Sequence, residues 1–91
     1  MKIHIKGFIL QALAQQPELW DIELASQVCQ EYGKPENTYW LGIVRLCLAD
    51  LNAGGLVIIK DDRWHERKRK LLFNYCISEF GLQRMRQTGL L

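Results

Sequence analysis

The sequence predicts one α+β domain spanning residues 1–91: three amphipathic helices, a two-stranded hairpin and a short closing helix. Three observations predict it. Apolar residues recur at helical spacing through the first half of the chain. That period gives way after Gly54-Gly55 to two runs rich in Val, Ile and Phe, Leu56–Lys60 and Leu71–Ile77. Between these runs lies RWHERKRK, in which five of eight residues are Arg or Lys. Ninety-one residues can bury one modest core but not two.

The first helix is expected from about Ile5 to Gln15, because Phe8, Ile9, Ala12 and Leu13 share a face and Pro17 stops it. The leading KIHI alternates and reads as a short strand or a frayed end. A second helix starts at Asp21, expected as its N-cap, with Trp20 before it. Leu24, Ala25, Val28, Cys29 and Tyr32 form its stripe, and Gly33 closes it. The third helix follows Pro35 with Asn37 or Thr38 as its cap. Its inward stripe is Trp40, Ile43, Val44, Cys47, Leu48 and Leu51, and its outward face carries Thr38, Leu41, Gly42, Arg45, Ala49 and Asn52.

Leu71, Phe73, Tyr75 and Ile77 are expected on one side of the second strand. The residues between the two runs read as a long, mobile loop of about ten residues. Ser78 caps a last helix with Leu82 and Met85 inward and Arg84 and Arg86 outward. The short Gly-containing turn between the second and third helices matches a helix-turn-helix. A hairpin directly after the third helix is a wing, and so small a sheet must pack on the helices.

Net charge is only +2, but it is unevenly spread. Residues 55–70 carry six bases against three acids, while residues 1–35 and 36–54 are each slightly acidic. That asymmetry marks the hairpin as the place where an anion would be held. Cys29, Cys47 and Cys76 are far apart among apolar neighbours. They read as buried or half-buried thiols of a protein in a reducing cytoplasm. No metal site, cofactor or membrane span is expected, and the N-terminus reads as a helix of the fold rather than a signal peptide. No Ser-His-Asp set, HExxH, phosphate-binding Gly loop or paired-carboxylate motif is present, so the chain does not read as an enzyme.

Three segments resemble a known family. ILQALAQQPELWDIELASQV is similar to the first helix, turn and second helix of winged helix-turn-helix transcription regulators, and most of all to the PadR-like group. DLNAGGLV resembles the end of their third helix and the turn into the wing. KLLFNYCISEFGLQRM resembles their second wing strand and the Ser-x-x-Gly start of a helix. The resemblance covers about residues 8–86. The start of the third helix, PENTYWLGIVRLCL, departs from the family pattern, and the long C-terminal dimerisation helices of that group are not within these residues.

The resemblance implies a sequence-specific regulator of double-stranded DNA, acting as a repressor and pairing as a homodimer. A dimer would form through the first helix, the KIHI segment or the last helix with Leu90 and Leu91. The third helix would enter the major groove and the wing would touch the backbone. Asn37, Thr38, Tyr39 and Arg45 are then the base- and phosphate-facing candidates on the helix. Arg45, as the one base there, is the candidate for a guanine contact. On the wing they are Arg63, Trp64, His65, Arg67, Lys68, Arg69 and Lys70, with Arg67 and Arg69 on one side and Lys68 and Lys70 on the other. Each candidate also has a plainer reading. Arg45 can instead pair with Asp50 or Glu36, the wing bases with Asp61, Asp62 and Glu66, and Trp64 can fold back onto its hairpin. The competing function is a protein-interaction module with the same fold and no DNA binding. The acids on the third helix favour it.

Overall fold

The computed structural model describes residues 3–91. Its elements are α1 (Ile5–Gln15), β1 (Leu19–Trp20), α2 (Asp21–Tyr32), α3 (Thr38–Ala53), β2 (Val57–His65), β3 (Lys70–Ile77) and α4 (Glu79–Thr88). The class is α+β, with four helices and one three-stranded antiparallel sheet in the order β1-β3-β2. The alternation expected of KIHI does not become a strand. His4 caps α1 through its side chain, Ile5 is already helical, and Lys2 lies outside the described residues.

Helix ends follow local chemistry. The side chain of Asn37 accepts from the Trp40 N–H at 3.0 Å and starts α3. Gly33 closes α2 at φ 65°, a backbone conformation that glycine adopts without strain. The cap of α2 is a correction to the sequence reading: Trp20 holds the N-cap position and Asp21 is the first helical residue. There the Glu23 carboxylate accepts from the Trp20 N–H at 2.8 Å, one half of a capping box. Asp21 is thereby freed for a different task, at the edge of the sheet.

The core joins all four helices and the sheet. Ile9 and Leu13 of α1, Leu24 and Val28 of α2, Val44 and Leu48 of α3, Val57 of β2 and Met85 of α4 are fully buried. Leu41, expected on the outward face of α3, is buried too, so the inward face of the helix is Leu41, Val44, Leu48 and Leu51. Trp40, Ile43 and Cys47 flank it half-buried. The three cysteines are free thiols, Cys29 buried and the other two half-buried.

The hairpin differs most from expectation. β2 does not end at Lys60 but runs nine residues to His65, and β3 begins at Lys70. The connection is a four-residue turn, Glu66 to Arg69, not a long loop. A register shift between Ile59 and Asp61 bends β2 where it leaves the core. Nor is one side of β3 simply apolar: Leu72 and Asn74 are buried along with Tyr75, while Leu71 is exposed. Successive residues alternate faces, so both faces of β3 are covered near its root.

α4 is held by the Ser-x-x-Gly segment. The Ser78 hydroxyl accepts from the Gly81 N–H at 2.8 Å and reaches the carbonyls of Gly55 and Leu56 at 2.6 and 3.0 Å. A Cβ at Gly81 would stand 2.2 Å from the Leu56 carbonyl oxygen, so only glycine lets α4 approach the start of β2 this closely. At its other end, Leu90 packs beside Gly7, and its carbonyl accepts from Gln11 Nε2 at 3.0 Å. Leu90 therefore covers its own α1, and only Leu91 of the terminal pair stays exposed.

Candidate nucleic-acid interface

β1 is only two residues long, yet the edge of β3 beyond it is not left open. Leu19 pairs with Tyr75 and Trp20 with Asn74. The chain then turns into α2, and side chains continue the ladder. The Asp21 Oδ2 accepts from the Phe73 N–H at 3.3 Å, and Arg45 Nη2 donates to the Leu71 carbonyl at 2.9 Å. Asp21 and Arg45 also face one another, Nε to Oδ2 at 3.5 Å, and the guanidinium lies 5.8 Å from the Phe73 ring centre. One ion pair thus ties α2, α3 and the hairpin root together.

Asp21 is only 1 % exposed. Burial pushes its carboxyl above the usual aspartate range, against the Phe73 N–H and the Arg45 charge, which pull it down. Its other oxygen, Oδ1, has no hydrogen-bond partner. Burial, with the Asp21 charge added, raises the Tyr75 phenol, against the pull of Arg45.

Arg45 is therefore not directed outward as a base-reading side chain. It does form a salt bridge, but with Asp21 rather than Asp50 or Glu36. Asp50 is held by Lys6 at 3.2 Å. What remains on the outer side of α3 is Tyr39, Gly42, Leu46 and Ala49. Tyr39 and Leu46 are 66 % and 65 % exposed, and a Cβ at Gly42 would meet open space. Tyr39 stands edge-on to Trp40 with ring centres 5.4 Å apart. Asn37 is committed to its cap, and Thr38 opens α3 in an exposed position.

At the hairpin, the candidate residues separate into structural and free ones. Arg63 lies over the Trp20 ring, 5.0 Å from its centre. His65 Nδ1 accepts from the Lys68 N–H at 3.1 Å and shapes the turn. Trp64 is half-exposed beside its cross-strand partner Leu71. Arg69 sits at φ 50°, a left-handed conformation imposed by the tight turn. Arg67, Lys68 and Arg69 are exposed and Lys70 half-exposed. Among the described residues none of these four is in an ion pair. Asp61 instead accepts from the Asp62 N–H, and Lys60 pairs with Glu18 at 3.3 Å.

Lys68 and Lys70 do share a side, as expected. They face the start of α3 across a cavity of about 410 Å³. α2 supplies Ile22, Ala25, Ser26 and Cys29 to its walls, and the turn and α3 supply Glu36, Asn37, Thr38 and Leu41. The tip and the beginning of α3 therefore border one concave surface, which includes one acid, Glu36. Burial and the Glu36 charge both raise the Cys29 thiol, so it stays protonated and inert.

Sequence reasoning passed over Leu46 on α3. It lies off the apolar stripe, and an isolated apolar residue signals little until its neighbours are known to be uncharged.

Among the described residues no group of three or more His, Cys, Asp or Glu is placed to hold a metal, and no helix is long and apolar enough to cross a membrane. No family profile and no curated protein matches the chain. Its fold is similar to two solved structures. RosR of H. salinarum superposes with a TM-score of 0.71 at 18 % identity, over 96 % of this chain and 70 % of that one. TA0346 of Thermoplasma acidophilum, assigned as a transcriptional regulator, gives 0.70 at 22 % identity, over 91 % and 74 %.

Proposed function

We propose that this chain is a winged helix-turn-helix regulator of transcription that binds double-stranded DNA through the hairpin tip and α3. The observation that carries the reading is the tip itself. Arg67, Lys68 and Arg69 on a four-residue turn, and Lys70 at the start of β3, stand in no ion pair next to the start of α3. Such cations suit the phosphate backbone, which contributes most of the affinity of a DNA-binding module. The fold shared with TA0346 agrees with it.

In this reading Arg45 supports rather than reads: with Asp21 it fixes the angle between α3 and the hairpin, so both meet one duplex. Thr38 and Tyr39 lie at the end of α3 nearest the tip. Two copies on one duplex would place half-sites about one helical turn apart. Repression from the cytoplasm is the mode that the PadR-like resemblance suggests.

The protein-interaction reading draws on two observations. Glu36 shares the concave surface with the lysines. Tyr39 and Leu46 leave the outer side of α3 apolar. Amide chemical-shift mapping during titration with a mixed-sequence duplex separates the two. DNA binding predicts shifts concentrated at residues 37–46 and 63–70. An unchanged spectrum at low salt would leave only the protein-interaction reading.

A further inference from the structure

A major-groove helix is expected to carry a forked donor for guanine, and α3 offers none. Its one arginine is spent on Asp21 and the Leu71 carbonyl, and Asn37 is spent on its own cap. The outer residues from the first turn onward are Tyr39, Gly42, Leu46 and Ala49. This side carries no unpaired charge, since Asp50 beside it is held by Lys6. Gly42 has open space where a side chain would stand, so the helix backbone can approach a surface closely at that point. Three exposed cations in a row, Arg67, Lys68 and Arg69, lie on the neighbouring hairpin.

We infer that α3 reads thymine methyl groups, so that the chain prefers A·T-rich duplex DNA through apolar contact in the major groove. The inference rests on the DNA-binding reading above. The chemistry is specific. Of the four bases only thymine presents an apolar group, its C5 methyl, on the major-groove edge, and small or apolar side chains are the ones that pack against it. Leu46 is the central contact, Ala49 lies one turn further along, and Gly42 admits the edge of the groove between Leu46 and Tyr39. A protein surface could also cover Leu46, but the basic tip beside the start of the same helix complements a polyanion.

The test uses the whole chain and three duplexes of one length: an A·T-rich sequence, the same sequence with every thymine replaced by deoxyuridine, and a G·C sequence. Deoxyuridine removes the methyl and leaves pairing unchanged. Fluorescence anisotropy at one salt concentration should show binding weakened by about fourfold for each methyl that Leu46 and Ala49 bury. Replacing cytosine by 5-methylcytosine in the G·C duplex should strengthen binding, because that methyl occupies the same groove position. Leu46→Ala should bring the thymine-to-deoxyuridine ratio towards one. Leu46 is exposed, so the variant should keep its fold, and circular dichroism would check this. Equal affinity for thymine and deoxyuridine duplexes would overturn the inference and leave the tip reading standing. Tighter binding to the G·C duplex would also overturn it. Absence of binding to all three would remove both.

Discussion

The two ends of the hairpin are built on opposite principles. At the root, side chains are tied into the backbone by specific partners, with only Asp21 Oδ1 and Asn74 Oδ1 left unpaired among its buried side-chain oxygens. Asp21 and Arg45 continue the ladder of β3, Ser78 gathers the carbonyls of Gly55 and Leu56, and Gly81 lets α4 touch the strand. At the tip, Arg67, Lys68 and Arg69 are exposed and Lys70 half-exposed, and among the described residues none of the four is in an ion pair. The root is therefore specified by the folded chain alone, whereas the tip is left to solvent and to whatever anion it meets. Changes at the root should alter stability without altering ligand preference, and changes at the tip should do the reverse.

The sharpest break at the root is Gly81→Ala. A methyl cannot coexist with a carbonyl oxygen 2.2 Å away, and backbone must move. Urea unfolding should show a loss of about 3 kcal/mol or more. Asp21→Ala should follow, lowering stability by about 2–3 kcal/mol, since it orphans the Phe73 N–H and leaves Arg45 without its partner. A loss below that of an ordinary surface substitution would mean that the pair does not tie the hairpin to the helices.

Acidity sharpens the same point. The folded Asp21 carboxyl keeps its proton to higher pH than the unfolded one, whose ordinary value is 3.8. The folded state thus binds more protons in that window. Stability contributed at Asp21 is present below pH 3.8 and declines as pH rises through the folded value. The stability difference between the wild type and Asp21→Asn should therefore shrink over that window, as followed by denaturant unfolding at stepped pH. A difference that grows with pH would show that Arg45, not burial, sets the carboxyl.

The smallest effect on stability belongs to the tip. Neutralising Arg67, Lys68 and Lys70 to Gln, and Arg69 to Asn, should move unfolding by no more than about 0.5 kcal/mol. Asn suits position 69 because it tolerates the left-handed backbone there. A larger loss would mean that the tip packs on the body of the protein.

The same contrast explains what could be read in the sequence. The helices were legible because each buries one face and ends on a residue with a local reason: Pro17 after α1, Gly33 after α2, Ser78 before α4. The hairpin was legible only at its root. Alternation marks a strand when one face is buried, and from Asp61 to Trp64 neither face is, so a paired strand looks like a polar loop. β1 was missed because two residues carry no period. The role of Arg45 was missed for another reason. Its partner lies 24 residues earlier in the chain, brought near by the return of β3 alongside α2, and no spacing rule reports such a pair. The basic cluster itself was legible throughout, since charge survives any change of secondary structure.

The most direct test of the tip as a DNA clamp is the salt dependence of duplex binding by the wild type and by the four-residue tip variant, measured by anisotropy from low to moderate salt. The wild type should bind more tightly. The slope of log affinity against log salt should be shallower in the variant by about 0.9 for each phosphate it no longer neutralises, roughly 2–3 in all. Equal affinities and equal slopes for the two proteins would contradict the assignment of the tip to DNA.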